Sequence, residues 1–451
     1  MPIPELTGLD SQHGTIRIPP EFGVPLTDRV RRIIDTEPFR RLAKITQVGL
    51  VSLVYPGARH TRFEHSLGVY RLALLLLKRL NHVPNFTSRV SERDAERFIL
   101  TALLHDVGHY PFCHLIEDIK IDGLPHHETL AAEFIEESEL AELLRKDWNV
   151  EPQEVINLLN GKTETSVDRL LATMLSGPID IDKMDYLYRD SLHAGVPYGR
   201  QLDQDRLIGS LCLNASGDGL AITEKGKTAA ELMIFARYVM FTEVYWHHAV
   251  RSATAMLQRL FSELYLAGKV KFSQYVRCSE EEAIRFFLDA SQGTPMEKLA
   301  QGLFGTRRII YKRVAQYSIL EQPEVYRLLA GKPYPFLCRC AEQLTESLNR
   351  QGHRVSDASG KSRTLVPTGI LIDAPPVEKE VEFRIDVFYP KERCYRPLEA
   401  VSPVVRALAR EQFDDYVKRV RIFATPELAK SLRENERFSD LLAGVLQQQA
   451  E

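Results

Sequence analysis

The stretch LTALLHDVGHYPFCH, from Leu100 to His114, decides the fold of this chain. Apolar side chains before its His-Asp pair occupy every helical face, which predicts a buried helix over residues 91–110. That helix carries His105 and Asp106 into the interior, where burial of an imidazole and a carboxylate without partners is costly. A divalent cation bound by both groups offsets the cost, so the pair predicts a metal site.

Two further stretches supply the remaining candidate ligands. RFEH ends at His65, and DIDKMD, over residues 180–185, contains Asp182. A His-Asp dipeptide alone is weak support for a metal site, because short motifs often occur by chance. The order His65, His105-Asp106, Asp182 strengthens the prediction, since two imidazoles and two carboxylates form a mixed nitrogen and oxygen set. Such a set suits several divalent metals, and the sequence does not distinguish among Mn, Mg, Fe, Zn, Ni and Co.

More imidazole groups lie close in sequence to the predicted ligands. They are His109, His114, His126 and His127, and Glu128 follows the last of them. Histidine titrates near neutral pH, so it can give a proton to a leaving oxygen or carry positive charge for a phosphate. Each one alone can be a surface or helix-capping residue. Their density favours a catalytic role for the group.

Positive and phenolic groups that suit a phosphate are also present. Arg62 and Lys183 lie beside the candidate ligands, and Arg237 and Tyr245 share a face of a long helix predicted over residues 227–266. Arginine can bind phosphate oxygens in bidentate fashion, whereas lysine acts as a point charge. Ordinary ion pairing is the alternative for the two arginines.

Composition narrows the class of protein. The chain has 451 residues, of which 44% are apolar and 26% charged, as in an ordinary globular protein. A net charge of -3 gives no case for bulk nucleic-acid binding, although basic clusters at residues 29–32 and 306–308 leave local contacts open. The six scattered cysteines predict reduced thiols. The sequence has no signal peptide and no apolar run near the ~18 residues of a membrane span, so we expect a cytoplasmic protein with no membrane partner.

Sequence periodicity predicts the organisation of the chain. Pro and Gly in residues 1–27 indicate an entry segment with one short strand. Helical periodicity dominates residues 28–320, with a hairpin near 211–223 around an Asn-Ala-Ser-Gly-Asp-Gly turn. Alternating runs and a helix in residues 321–451 predict a small C-terminal α+β subdomain. The expected fold class is therefore mostly α.

Together these motifs resemble the HD-domain metal-dependent phosphohydrolases. Within them, they are similar to the deoxynucleoside triphosphate (dNTP) triphosphohydrolases related to the vertebrate sterile-alpha-motif and HD-domain protein. The segments that carry the resemblance are IIDTEPFRRLAKITQVG, YPGARHTRFEHSLGVYRLA, HDVGHYPFCH, HHE, DIDKMDYLYRD and, less strictly, ARYVMFTEVY. They cover residues 12–265 well. The stretch before them is too short for a sterile-alpha-motif domain, so we expect none.

The resemblance implies an HD-type helical catalytic core and assigns roles within it. The implied metal ligands are His65, His105, Asp106 and Asp182. The implied catalytic residues near the α-phosphate are His109, His114, His127 and Glu128. The triphosphate would be held by Arg62, Lys183, Tyr186 and Arg237. The sugar would be recognised at its 3′-hydroxyl by Gln47 and Asp190 and closed off at its 2′ position by Val48 and Tyr245. The implied reaction is attack of metal-associated water or hydroxide on the α-phosphorus, which releases deoxynucleoside and inorganic triphosphate.

The resemblance also implies partners. The expected substrate is a dNTP, with a nucleotide activator and assembly into a homo-oligomer, a dimer or a tetramer. Asp35 matches a carboxylate of the family's guanine-nucleotide activating site, whereas Arg40 and Ala43 stand where the family has Gln and Arg. Val48 is smaller than the family's Leu, and Phe241 stands where a family His lies.

Two other functions stay open at the level of sequence. The same metal set can serve an HD phosphohydrolase or phosphodiesterase that acts on another nucleotide, such as a nucleoside monophosphate or a signalling nucleotide. A regulator that senses nucleotides or binds nucleic acid can keep the pocket without turnover. The complete group of His114, His127 and Glu128 argues against the regulator, because a pure binder has no evident need for hydrolytic residues.

Overall fold

The computed structural model describes residues 1–11, 14–20, 22–356, 362–376, 384–408, 413–435 and 437–450. Its α-helices are, in chain order, α1 Pro4–Gly8, α2 Asp28–Ile34, α3 Glu37–Arg41, α4 Arg62–Leu80, α5 Pro84–Thr87, α6 Glu92–Leu104, α7 Cys113–Glu117, α8 His127–Glu136, α9 Glu139–Trp148, α10 Pro152–Leu159, α11 Ser166–Leu175, α12 Ile181–Ala194, α13 Gln204–Ser210, α14 Lys227–Met240, α15 His248–Leu266, α16 Phe272–Tyr275, α17 Glu280–Ser291, α18 Glu297–Phe304, α19 Pro323–Leu329, α20 Tyr334–Arg350, α21 Leu398–Val401, α22 Pro403–Ala407, α23 Phe413–Val417, α24 Pro426–Arg433 and α25 Phe438–Ala450. Its strands are β1 Thr15–Ile18, β2 Phe22–Pro25, β3 Leu211–Leu213, β4 Leu220–Thr223, β5 Lys312–Tyr317, β6 Val355–Ser356, β7 Ser362–Arg363, β8 Ile370–Asp373, β9 Asp386–Tyr389, β10 Cys394–Pro397 and β11 Val420–Ala424. Among these described helices, none is both long and apolar enough to cross a membrane.

Helices make up most of the regular structure, which confirms the predicted mostly α fold with a small sheet-containing C-terminal region. The described residues form two compact units. The first unit takes those of Met1–Pro111, Pro125–Met240 and Val381–Arg410. The second unit takes those of Phe112–Leu124, Phe241–Glu380 and Glu411–Glu451. The division of the sequence into residues 1–27, 28–320 and 321–451 stays a prediction.

Three helices of the first unit position the predicted metal ligands: α4 carries His65, α12 carries Asp182, and His105 and Asp106 directly follow α6. Helix α4 packs against both α6 and α12. Side chains cap the start of each helix: Thr61 accepts from a backbone N–H of α4, Ser91 forms a capping box with α6, and Asp180 accepts from α12. N-caps satisfy the free N–H groups of the first turn, so they fix where a helix begins. The caps of α4 and α12 therefore determine which turn of each of these two helices presents a ligand.

Helix α6 ends at Leu104, which corrects the predicted helix over residues 91–110. Pro111 has no N–H to donate to the carbonyl oxygen of Val107, so a continuing helix would leave that oxygen without its partner. Arg41 supplies the missing donors, because its guanidinium donates to the carbonyl oxygens of Val107, at 2.7 Å, and His109, at 2.6 Å. The turn after the His-Asp pair is thus held by a side chain from α3.

A four-stranded sheet in the first unit has the strand order β10-β9-β4-β3. Strands β3 and β4 form the antiparallel hairpin near residues 211–223, and the Asn214 side chain accepts from the N–H of Gly217 in its turn at 2.7 Å. Strand β9 joins β4 in parallel. The sequence did not predict this pairing, because partners far apart in the chain leave no local pattern. Strands β1 and β2 pair in the entry segment, where one strand was expected.

The second unit contains a three-stranded sheet in the order β5-β11-β8, with both pairings antiparallel. Helix α20 packs against β8 and α25. The core between them is apolar and includes Leu344, Leu348, Ile372, Ile422 and Leu442. Alternating apolar side chains on these strands face that core, which explains why the sequence showed strand periodicity here.

The predicted continuous helix over residues 227–266 is wrong. Helix α14 ends at Met240, a π turn follows over Phe241–Tyr245, and α15 begins at His248. The N–H of Trp246 donates to the carbonyl oxygen of Phe241 at 2.8 Å, which is the wider spacing of a π turn. The expected shared face of Arg237 and Tyr245 rested on a continuous helix, so the interruption removes its basis.

Gly68 on α4 leaves space for a buried ion pair. A Cβ at this position would collide with the Asp185 carboxylate and the Arg189 guanidinium. We expect Gly68→Ala to lower the free energy of unfolding by about 1–3 kcal/mol, because the pair must shift. Urea denaturation measures the change. The matched control is Gly209→Ala on α13, where a Cβ meets no atom within 4 Å and helix propensity favours alanine. Equal losses in the two variants would contradict the packing argument.

Candidate metal centre

The four predicted metal ligands come together in the first unit. His65 Nε2 lies 3.2 Å from His105 Nε2 and 3.0 Å from Asp182 Oδ1. His105 Nε2 lies 3.4 Å from Asp106 Oδ1 and 3.8 Å from Asp182 Oδ1. Two donor atoms at right angles around one cation, each about 2.1 Å from it, lie about 3 Å apart. The donor types and spacings of His65, His105 and Asp182 therefore fit a single divalent cation, and Asp106 lies beside them.

Hydrogen bonds fix which nitrogen of each imidazole faces the cluster. His65 Nδ1 lies 2.8 Å from Asp185 Oδ2, and His105 Nδ1 lies 2.9 Å from the carbonyl oxygen of Ala102. A carbonyl and an ionised carboxylate only accept, so both Nδ1 atoms carry the proton. Each Nε2 is then the nitrogen that faces the cluster, and it would bind a metal ion on release of any proton that it carries.

The charges in the cluster favour a cation. Burial alone would raise the pKa of Asp106, but the charges of His109 and other neighbouring cationic groups hold it well below its usual range. Burial alone would lower the pKa of His65, but hydrogen bonds to Asp182 and Asp185 raise it to about 10. The carboxylates thus stay anionic and stabilise positive charge at the imidazoles. They would stabilise the positive charge of a bound divalent metal in the same way.

An ion-pair network lies behind His65. Arg189 Nε and Nη2 donate to the two oxygens of Asp185 at 2.8 and 2.7 Å, and Nη1 donates to Glu64 Oε1 at 2.6 Å. Burial would raise the pKa of Asp185, but Arg189 lowers it to about 2. Our sequence reasoning missed this network. The four-residue spacing of Asp185 and Arg189 on a predicted helix was the available signal.

His109 and His127 lie beside the cluster. The His109 side chain is buried, and its Nδ1 lies 3.2 Å from Asp106 Oδ1. The rings of His109 and His127 have centroids 3.9 Å apart. Gly108 permits this approach, because a Cβ there would collide with the carbonyl oxygen of His127. Glu128 is exposed on the first turn of α8.

Two predicted site residues belong to the second unit. His114 lies on α7, is 58% exposed, and has Nδ1 3.5 Å from Glu117 Oε2. Tyr245 lies in the π turn with its ring against Phe241, at a centroid distance of 5.2 Å. The catalytic role of His114 and the sugar-binding role of Tyr245 stay predictions.

Two of the predicted phosphate-binding residues have carboxylate partners in this structure. Arg62 is buried, and its Nη1 donates to Asp106 Oδ2 at 2.8 Å, so it holds a candidate metal ligand. Lys183 Nζ donates to Asp180 Oδ2 at 2.5 Å. A phosphate would therefore compete with Asp180 for the ammonium group of Lys183.

The other predicted substrate residues of the first unit include Tyr186, Arg237 and Val48. Burial raises the pKa of Tyr186 on α12, and the charge of Arg237 on α14 opposes that shift, so the two side chains are near one another. Val48 immediately precedes the 3₁₀ turn Gly49–Leu53. Their roles toward a substrate stay predictions.

His60 joins the two residues predicted to recognise the 3′-hydroxyl. The N–H of Gln47 donates to the carbonyl oxygen of His60 at 2.9 Å. The His60 side chain is buried, with Nε2 2.7 Å from Asp190 Oδ1. The sequence predicted Gln47 and Asp190 but missed the residue between them.

Comparisons with known families show which family this chain belongs to. The HD domain family matches residues 62–190, and the HD associated region matches residues 202–443. An uncharacterized protein of Methanocaldococcus jannaschii is 30% identical over 412 residues, which cover 91% of this chain and 79% of that protein. The chain therefore belongs to the HD-domain proteins that carry an HD-associated region. As a class it is an HD-domain phosphohydrolase, and HD domains are metal-dependent.

Two further proteins are similar to this chain, one in structure and one in sequence. A hypothetical protein from Aquifex aeolicus has a structure with a TM-score of 0.70 and 26% identity, covering 93% of this chain and 98% of that chain. The Dictyostelium discoideum protein named deoxynucleoside triphosphate triphosphohydrolase SAMHD1 homolog is 28% identical over 270 residues. That match covers 56% of this chain and 48% of the Dictyostelium protein, so this chain spans about half of that relative.

Proposed function

We propose that this protein hydrolyses dNTPs to deoxynucleosides and inorganic triphosphate. The observation that carries the proposal is a chain of contacts, within the first unit, from the metal cluster to the buried pair of His60 and Asp190. Hydrogen bonds lead from His65 through Asp185, Arg189 and Glu64 to His193, whose ring stacks on His60. A hydrolase of simple phosphate esters has no need for such a link to a sugar-binding group. The similarity to the Dictyostelium dNTP triphosphohydrolase supports the same substrate.

The reaction breaks the bond between the α-phosphorus and the 5′ oxygen, as water adds to the phosphorus. A bound divalent cation would lower the pKa of water and neutralise phosphate charge. The leaving 5′ oxygen needs a proton, and His109, beside Asp106 and His127, is the buried imidazole that we assign to this step. We assign His114, His127 and Glu128 to the same hydrolytic centre.

Substrate binding divides between phosphate and sugar. We assign the triphosphate to the basic and phenolic residues Arg62, Lys183, Tyr186 and Arg237. We assign the 3′-hydroxyl to Gln47 and Asp190, and the exclusion of a 2′-hydroxyl to Val48 and Tyr245. The metal ligands in this proposal are His65, His105, Asp106 and Asp182. A nucleotide activator and a homo-oligomer complete the proposal.

Product analysis tests the function. The purified protein is incubated with Mn²⁺ and each dNTP, alone and in mixtures, and the products are separated by ion-exchange chromatography. We expect deoxynucleoside and inorganic triphosphate in equal amounts, and hydrolysis that depends on a second nucleotide would demonstrate the activator. Pyrophosphate or orthophosphate as the product would contradict the proposal. So would turnover only of a nucleoside monophosphate or a signalling nucleotide.

A further inference from the structure

The geometry points to Arg189 as a positioning residue that the metal centre and the sugar-binding residues share, an inference that rests on the function proposed above. Its side chain is 1% exposed. It donates hydrogen bonds to Asp185, to Glu64 and, at 3.3 Å, to the carbonyl oxygen of Pro19. None of these partners is a candidate metal ligand, so Arg189 acts through them.

One side of the guanidinium holds the metal centre. Two parallel hydrogen bonds fix both carboxylate oxygens of Asp185, and one of those oxygens lies 2.8 Å from His65 Nδ1. Orientation of Asp185 therefore sets the direction of the imidazole and of its Nε2, which lies 3.0 Å from Asp182. Residues that orient a metal-binding histidine in this way usually contribute about 10- to 100-fold to metal affinity.

The remaining nitrogen of the guanidinium holds the sugar-binding side. Glu64 Oε1 accepts a hydrogen bond from Arg189 Nη1 at 2.6 Å and lies 2.9 Å from His193 Nε2. The ring of His193 stacks on His60, with centroids 4.4 Å apart and planes inclined by 14°. His60 in turn lies 2.7 Å from Asp190. Movement of Arg189 thus displaces Asp190 as well as His65.

Lysine cannot replace this arginine, because a single ammonium group does not supply three fixed donor directions at once. We expect Arg189→Lys to raise the Kd for Mn²⁺ by about 10- to 100-fold. We also expect it to reduce, by about tenfold or more, the ratio of kcat/KM for dTTP to that for 2′,3′-dideoxy-TTP, since discrimination by a hydrogen-bonding site depends on well-placed partners. Free Mn²⁺ is measured by electron paramagnetic resonance, which requires no turnover.

Variants of one carboxylate partner at a time separate the effect on metal affinity from the effect on recognition of the 3′-hydroxyl. Asp185→Asn should weaken Mn²⁺ binding and leave the nucleotide ratio within about twofold, because Arg189 and its bond to Glu64 stay in place. Glu64→Gln should lower the ratio and leave the Mn²⁺ Kd within about twofold, because Arg189 and its two bonds to Asp185 stay in place. These variants decide the question if Arg189→Lys does not fold. The inference is overturned if Arg189→Lys changes only one of the two quantities, or if Glu64→Gln leaves the nucleotide ratio at its wild-type value.

The matched control is Arg29→Lys. Arg29 is also a largely buried arginine of the first unit that bridges two carboxylates, with Nε 2.9 Å from Glu5 and Nη1 2.7 Å from Glu96. We expect it to leave both the Mn²⁺ Kd and the nucleotide ratio unchanged. Equal effects in Arg29→Lys would mean that Arg189 acts only through general stability and would overturn the inference. If the wild type hydrolyses neither nucleotide, the proposed function fails, while the Mn²⁺ measurements still test the metal side.

Discussion

Replacing Asp182 with asparagine should reduce the rate of hydrolysis by at least about a thousandfold and leave the fold intact. The side chain of Asp182 is 34% exposed, and its oxygen lies 3.0 Å from His65 Nε2 and 3.8 Å from His105 Nε2. The variant removes a negative charge from the metal site. Replacing Asp106 would also lower the stability of the fold, because it would leave the buried guanidinium of Arg62 without its carboxylate.

Three measurements distinguish loss of the metal site from loss of the fold. They are kcat with Mn²⁺, the ratio of metal to protein, and the temperature of unfolding. Asp205→Asn, which removes an exposed carboxylate from α13, is the matched control and should retain full activity. If Asp182→Asn keeps more than about a tenth of the wild-type rate, the cluster is not the reaction centre.

Replacing His109 with asparagine should lower kcat by about 100-fold or more while Mn²⁺ still binds. His109 Nδ1 lies 3.2 Å from Asp106 Oδ1, and the His109 ring is next to that of His127. Asparagine keeps a polar side chain in a buried position but cannot transfer a proton near neutral pH. The comparison variant is His126→Ala, an exposed histidine one residue before α8, which should change kcat by less than about twofold.

Steady-state kinetics and Mn²⁺ titration are measured on the same preparations. A His109→Asn variant with wild-type kcat would remove this residue from the proposed chemistry. Loss of Mn²⁺ binding in step with kcat would instead assign His109 to the support of Asp106 and not to proton transfer.

The candidate metal ligands could be named from the sequence because their chemistry appears there. His105 and Asp106 follow a run of apolar residues, and buried imidazole and carboxylate groups require partners. The order of the motifs then supplied His65 and Asp182. The mostly α fold could be predicted for a similar reason, since helical periodicity is local and repeats along the chain.

The residues that hold the candidate ligands in place could not be predicted so readily. Glu64 and Arg189 are far apart in sequence, and their pairing depends on how α4 packs against α12. His60 and His193 show the same limit, because each looks like a surface histidine until the fold stacks their rings. The parallel pairing of β4 with β9 is likewise a contact between distant segments.

Of the two errors in the predicted helices, one had a signal in the sequence. Helix α6 ends at Leu104, and Pro111 could have indicated an early end, because proline cannot donate to the carbonyl oxygen of Val107. The π turn over Phe241–Tyr245 has no such marker, since apolar periodicity continues on both sides of it. A helical pattern thus predicts an element more reliably than it predicts an interruption.

Isotope labelling tests the central claim most directly. A dNTP is hydrolysed by the Mn²⁺-loaded protein in H₂¹⁸O, with Asp106→Ala as the inactive control, and the products are analysed by mass spectrometry. Asp182→Asn, which keeps the ion pair of Arg62 and Asp106, serves as a second inactive control. Attack at the α-phosphorus predicts a single ¹⁸O in inorganic triphosphate and none in the deoxynucleoside. Label in orthophosphate, in pyrophosphate or in the 5′-hydroxyl of the deoxynucleoside would contradict the account.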